Sequence, residues 1–174
     1  QYLPFDISEQ ILRKSLQEVE LVGRFQAIKV DKREKLADYL GVSVETLPTI
    51  IVDVGHNPHA AKYLSEKLTA LKCNIEGKII AVCGMLKDKD ANGVFAHLTP
   101  IIDEWHCVTL GGYRGQSGDE LAEKLKSHFS HVQATSDNSV MDGVRTALKS
   151  AVKNDVVLVF GSFHTVAEFW SVVE

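Results

Sequence analysis

Long apolar runs are missing: no stretch approaches the roughly 20 residues that a membrane-spanning helix needs, and the start lacks the basic and apolar regions of a signal peptide. Positive charge is not in excess either. The formal net charge is −4, which argues against a nucleic-acid or anionic-membrane footprint, since either would normally show a basic surplus or a clustered basic face. Cysteine is scarce, with Cys73, Cys83 and Cys107 odd in number and without CxxC spacing. They read as reduced thiols of a cytoplasmic protein, Cys83 packing inside an apolar run. No GxxxxGK[ST] loop occurs anywhere in the chain, so nothing in it cradles the terminal phosphates of a nucleotide or holds magnesium through a P-loop hydroxyl. The first residue is Gln1 rather than methionine, and the chain is expected to be a piece of something longer.

What remains has the make-up of a soluble globular protein, with 45% apolar and 24% charged residues. A chain of 174 residues fits a single domain, able to bury roughly 70% of the surface its unfolded form exposes. β-Branched, apolar runs recur at Phe25 to Val30, Thr49 to Val54, Lys78 to Cys83, Trp105 to Leu110, His131 to Thr135 and Val156 to Phe160. The intervals have helix length, with helices expected near Pro58 to Leu71, Ala91 to Asp103, Asp119 to Phe129, Ser139 to Lys153 and Val166 to Val173, and another at Ser8 to Val19. This alternation predicts an α/β fold, a Rossmann-like, open, mostly parallel six-stranded sheet with helices on both faces. The segment Asp31 to Leu47, helical in spacing at Glu34 to Leu40, is read as an exposed insertion.

The most informative stretch is Asp53-Val54-Gly55-His56-Asn57-Pro58-His59, directly after the apolar run Ile50-Ile51-Val52. A carboxylate and an imidazole there stand where a buried strand ends and a helix begins, the crevice in which open α/β sheets receive ligands. Gly55 suits the tight turn, Asn57 an N-cap and Pro58 the first helical position. Gly84, Gly111-Gly112 and Gly161 follow three other predicted strands, so four turns are expected to converge on one crevice. Asp53 reads either as a turn carboxylate or as a group that touches a ribose or positions a cation. His56 reads as a turn histidine or as a donor beside a phosphate. Two histidines three apart, His56 and His59, form a weak zinc signal without a third ligand, and no metal site is assigned. Lys87-Asp88-Lys89-Asp90 is a solvated charge run or a phosphate-edge loop, and charge alone does not decide.

The Asp53 to Ala61 segment closely resembles the C-terminal domain signature of the Mur ligase superfamily, and within it the folylpolyglutamate synthase/dihydrofolate synthase branch. Gly23-Arg24-Phe25-Gln26 is similar to the family's connector into that domain, Gly84 to Asp90 to a loop of the folate branch, and Gly161-Ser162-Phe163-His164-Thr165-Val166-Ala167 to its last strand-to-helix turn. The resemblance implies that residues 23–174 are the C-terminal domain and residues 1–22 the end of a preceding domain or linker. It also implies a role in an ATP- and Mg2+-dependent, ADP-forming ligase. ATP would phosphorylate a pterin-bound carboxylate of dihydropteroate or a folate, and the amine of L-glutamate would attack the acyl phosphate. The P-loop would lie in the N-terminal partner domain, so the chain alone is expected to be inactive. Arg24, Asp53 and His56 would lie at ATP, His56 and Asp53 with catalytic roles. Ser162 reads equally as an N-cap or, with His164, as a group orienting the incoming glutamate. A cell-wall amino-acid ligase of the same superfamily and a non-catalytic Rossmann-like binding module are the alternatives; the Ser162 to Val166 turn argues against the first, and the intact Arg24, Asp53 and His56 against the second.

Overall fold

A computed structural model describes residues 23–174; the helix expected at Ser8 to Val19 and the segment 1–22 lie outside it. The chain runs β1 (Gln26–Ala27), α1 (Val30–Leu40), a 3-10 turn (Val44–Thr46), β2 (Thr49–Asp53), α2 (Pro58–Lys72), β3 (Ile79–Cys83) and α3 (Ala91–Leu98). It continues through β4 (Glu104–Val108), α4 (Gly118–His128), β5 (Ala134–Asp137), α5 (Val140–Ser150), β6 (Val156–Phe160) and α6 (Phe163–Val173). The sheet order is β1-β2-β6-β3-β4-β5. Every pairing from β2 to β5 is parallel, and only the short β1 lies antiparallel on β2. The expected six-stranded, mostly parallel α/β architecture is therefore the observed one.

Strands buried on both faces should be continuously apolar, and β3 (IIAVC) and β6 (VVLVF) are buried at every position. One face of the sheet packs Leu64 and Leu68 of α2, Phe95 and Leu98 of α3 and Leu121 and Leu125 of α4 around Trp105. The other packs Leu36 of α1, Val144 and Ala147 of α5 and Val166 and Phe169 of α6 against Val52, Val82 and Val159. Asn57, Asp90, Ser117, Ser139 and Ser162 each accept a backbone N–H from the first turn of the helix that follows a strand. These caps fix where each parallel strand hands over to its helix. The helix N-termini following the five parallel strands consequently share the carboxyl edge of the sheet.

Three readings of the sequence are corrected by the structure. Phe25 to Val30 is not one strand: only Gln26–Ala27 pairs in the ladder, Phe25 has a φ of 42°, and Val30, 70% exposed, opens α1. The β-branched and apolar residues there serve a tight connector turn and a helix start. Asp31 to Leu47, read as an exposed insertion, is anchored in the core. Leu36 is fully buried and Leu47 nearly so, α1 packs on α6, and Arg33 donates to the carbonyls of Leu47 and Pro48 at 2.8 and 2.6 Å. Leu36→Ala should accordingly cost about 2–5 kcal/mol, read as a lowered urea midpoint at unchanged slope; a loss under about 0.5 kcal/mol would restore the reading of an exposed insertion. Helix α3 stops at Leu98 rather than Asp103 because Pro100 brings no N–H and its ring disfavours the helical region for Thr99.

Candidate functional site

The turns after β2, β3, β4 and β6 enclose a cavity of about 180 Å3 lined by His56, Leu86, Lys89, Arg114, Ser162, Phe163 and His164. A larger cleft of about 480 Å3 opens at the opposite, amino end of the strands around Thr49, Ile75 and Asn154. Its charged lining, Glu76 and Lys153, sits on exposed turns, so volume alone does not mark it as the site. The smaller cavity is where two capped helix starts, titratable side chains and the strand carboxyl ends coincide.

Asp53, the last residue of β2, is 5% exposed. Its Oδ1 accepts the Gly55 N–H at 2.6 Å and its Oδ2 the Phe25 N–H at 2.8 Å. The second bond crosses to the connector and holds Phe25 in its left-handed conformation, a state that surrounding contacts must impose on a non-glycine residue. The Gly23 carbonyl accepts the Val54 N–H at 2.8 Å, closing the same clasp. Burial pushes the Asp53 carboxyl above its ordinary range, opposed by the two backbone donors and by the nearby charge of Arg24. Arg24 itself is exposed at the tip of this turn.

The His56 Nδ1 lies 2.9 Å from the Val54 carbonyl. A carbonyl only accepts, so this nitrogen carries the proton, and in the neutral ring the Nε2 lone pair is left outward. Among the described residues Nε2 has no hydrogen-bond partner, and the ring stands 6.3 Å from Phe163, tilted by 56°. His59 is exposed and does not line the cavity. Among the described residues no group of three or more His, Cys, Asp or Glu side chains is placed to hold a metal ion.

Ser162 is buried and caps α6, accepting the Thr165 N–H at 3.0 Å. The Thr165 hydroxyl in turn lies 2.8 Å from the Ser162 Oγ and donates to the Gly84 carbonyl at 2.7 Å. These bonds tie the turn after β6 to the turn after β3. Gly161, with a φ of 112°, permits that approach, since a Cβ there would stand 2.6 Å from the Gly84 oxygen. Ser162→Ala should cost about 0.5–2 kcal/mol through the lost cap, measured by thermal or urea unfolding; a neutral result would mean the cap is redundant. His164 is exposed on the rim.

The structure thus brings His56, Ser162 and His164 together at the cavity, while Asp53, buried at the end of β2, and Arg24, exposed on the connector, are not among its lining residues. Leu86, Arg114 and Phe163 are lining residues that reading the sequence did not single out. The glycine pair Gly111-Gly112 was the available signal for Arg114, for it marks the turn after β4 that carries this side chain.

A family model described as "Mur ligase, glutamate ligase domain" matches residues 41–163. The chain is 92% identical over its full length to a dihydrofolate synthase/folylpolyglutamate synthase of Haemophilus influenzae, of which it covers 40%. It is 37% identical over 97% of its length to the protein of the same name from Escherichia coli, covering 34% of it. Among solved structures, E. coli FolC in complex with DHPP and ADP superposes with a TM-score of 0.76 at 36% identity, covering 97% of this chain and 35% of that one. The chain therefore spans well under half the length of the relatives it matches.

Proposed function

From the premise that this chain belongs to the Mur ligase family through its glutamate ligase domain, we propose that it is the C-terminal domain of an ATP-dependent, ADP-forming amide-bond ligase. The ligase would add L-glutamate to dihydropteroate and folates through an acyl phosphate. The observation that carries the reading is the cavity at the strand carboxyl ends, which His56, Lys89, Arg114 and His164 line together with the capped start of α6. Such a cluster favours anionic groups, phosphate or carboxylate, near a reacting centre. Support comes also from a relative over 90% identical whose name states both synthase activities, and from a relative's structure that holds ADP and DHPP.

Within that reading each residue has a task. Arg24, exposed on the connector, reaches the nucleotide, its planar guanidinium suited to a phosphate. Asp53 holds the connector and the His56 turn in register, which places Arg24 and His56 at the nucleotide together. His56 presents Nε2 as acceptor when neutral and as donor when protonated, at the edge where the phosphoryl group would move. Ser162 sets the start of α6, and His164 on the same turn orients the glutamate. ATP and Mg2+ supply the phosphoryl group and its charge neutralisation, held mainly by the P-loop domain, and the protein works in the cytoplasm without nucleic acid or membrane partners.

The test is ADP release by the full-length ligase with dihydropteroate against a panel of amino acids. Dependence on L-glutamate is expected. Turnover with diaminopimelate and a cell-wall precursor, and none with a pterin acceptor, would replace this reading by that of a cell-wall ligase.

A further inference from the structure

Thr165 has no exposed surface and does not line the cavity, yet its hydroxyl joins two of the turns that do. Strands β3 and β6 pair in parallel up to Cys83 and Phe160, and the ladder closes with the Gly84 N–H donating to the Phe160 carbonyl at 3.0 Å. The turn after β6, where Gly161 has a φ of 112°, supplies no backbone N–H for a further rung. The Gly84 carbonyl instead accepts the Thr165 hydroxyl at 2.7 Å. Among the described residues no other hydrogen bond joins the two turns past that last rung. The backbone is shaped around the contact: a Cβ at Gly84 would fall 2.7 Å from the Thr165 hydroxyl oxygen, and one at Gly161 would fall 2.6 Å from the Gly84 oxygen.

The direction of the protons follows from what each atom can do. A carbonyl only accepts, so the one hydroxyl proton of Thr165 goes to Gly84. The 2.8 Å contact between the Ser162 and Thr165 oxygens then has Ser162 as its donor, while the Ser162 oxygen accepts the Thr165 N–H at 3.0 Å. Ser162 is left with a lone pair, and no proton, for the cavity that it lines. The same short chain of bonds sets distance as well as direction. The turn after β3 brings Leu86 and Lys89 to the cavity, and the turn after β6 brings Ser162, Phe163 and His164. Displacing a reacting group by about 1 Å can cost about 100-fold in rate, so the spacing of these two walls matters to any chemistry between them. Without the hydroxyl, the Gly84 carbonyl loses this partner and the Ser162 proton is free to turn.

We propose that Thr165 is a positioning residue of the ligase, its buried hydroxyl fixing the spacing of the turns after β3 and β6 and the orientation of the Ser162 hydroxyl. The proposal rests on the ligase reading above and adds to it a residue that touches no substrate. Thr165→Val and Thr165→Ser in the full-length ligase separate positioning from packing, because valine keeps the shape without the hydroxyl and serine keeps the hydroxyl without the methyl group. With ADP release measured per mole of folded enzyme, Thr165→Val is expected to lower kcat/KM about 10- to 100-fold. Thr165→Ser should stay within about threefold of wild type, although the lost methyl group lowers its urea midpoint as well. A residue that only packs would give the reverse order, with valine the milder change. Should Thr165→Val fail to fold, Thr165→Cys, whose thiol is a weak donor in the place of the hydroxyl, carries the same comparison with serine. Wild-type kcat/KM in the folded valine or cysteine variant, or a loss in the serine variant equal to theirs, would overturn the proposal. Failure of the unmodified full-length protein to form ADP with dihydropteroate and L-glutamate would instead remove the ligase reading itself.

Discussion

Asp53→Ala is expected to destabilise the chain by about 2–4 kcal/mol, since it leaves the Gly55 and Phe25 N–H groups without their acceptor and each such loss costs about 1–3 kcal/mol. The estimate sits below the simple sum because burial already opposes the charged carboxylate. Activity of the full-length ligase should fall with it, because the Phe25 bond is what sets Arg24 beside the strand end. Asp53→Asn is the sharper variant. Its amide offers one acceptor oxygen and turns an NH2 toward the other donor, so it should remain destabilised by more than about 1 kcal/mol at neutral pH. The pH dependence has a defined sign. With the folded pKa raised above the unfolded value, the native state binds this proton more tightly, so the contribution of Asp53 is most favourable in acid and declines as pH rises through the carboxylate range. The gap between wild type and Asp53→Asn should therefore narrow as pH rises from about 3 to 6. Urea midpoints across that range check it, and a gap that widened would show that the two N–H bonds outweigh desolvation.

The second large effect separates His56 from Asp53. His56→Ala in the full-length ligase should lower kcat/KM by about 10²–10⁴, the range for removing a positioned acid, base or charge-stabilising donor. Stability should change by no more than about 1 kcal/mol, because only the Nδ1 bond to the Val54 carbonyl is lost and the ring is half-buried. Kinetics paired with unfolding midpoints distinguish the two residues: Asp53 variants lose both quantities, His56 variants only the first. Equal losses at His56 would make it scaffold. The contrast follows from where the hydrogen bonds go, since both Asp53 oxygens are satisfied within the chain, whereas His56 leaves one ring nitrogen open to the cavity.

How far the sequence anticipates this depends on whether the deciding partner is local. The strand-turn-helix device at Asp53 to Pro58 is legible because glycine, cap and proline act on their own few residues, and Asn57 caps α2 as its position implies. Strand β6 occupies the expected Val156 to Phe160 because a run buried on both faces has no period to misread. The α1 region is another matter. Leu36 becomes core only through α6, more than a hundred residues later, and nothing local announces that contact. The bond from Phe25 to Asp53 spans 28 residues, so the carboxylate's structural duty is hidden in the same way, and the ion pair of Arg114 with Asp88 spans 26. Residue types at a turn can be read in order; which oxygen meets which nitrogen across two turns depends on the fold.

The central claim is that this chain supplies one wall of a folate ligase and lacks the phosphate-cradling half. It is tested most directly by measuring ADP release with ATP, Mg2+, dihydropteroate and L-glutamate for the chain alone beside the full-length ligase under identical conditions. The account predicts glutamate-dependent release from the full-length protein and none above background from the chain. Release from the chain alone, or none from either, would contradict it.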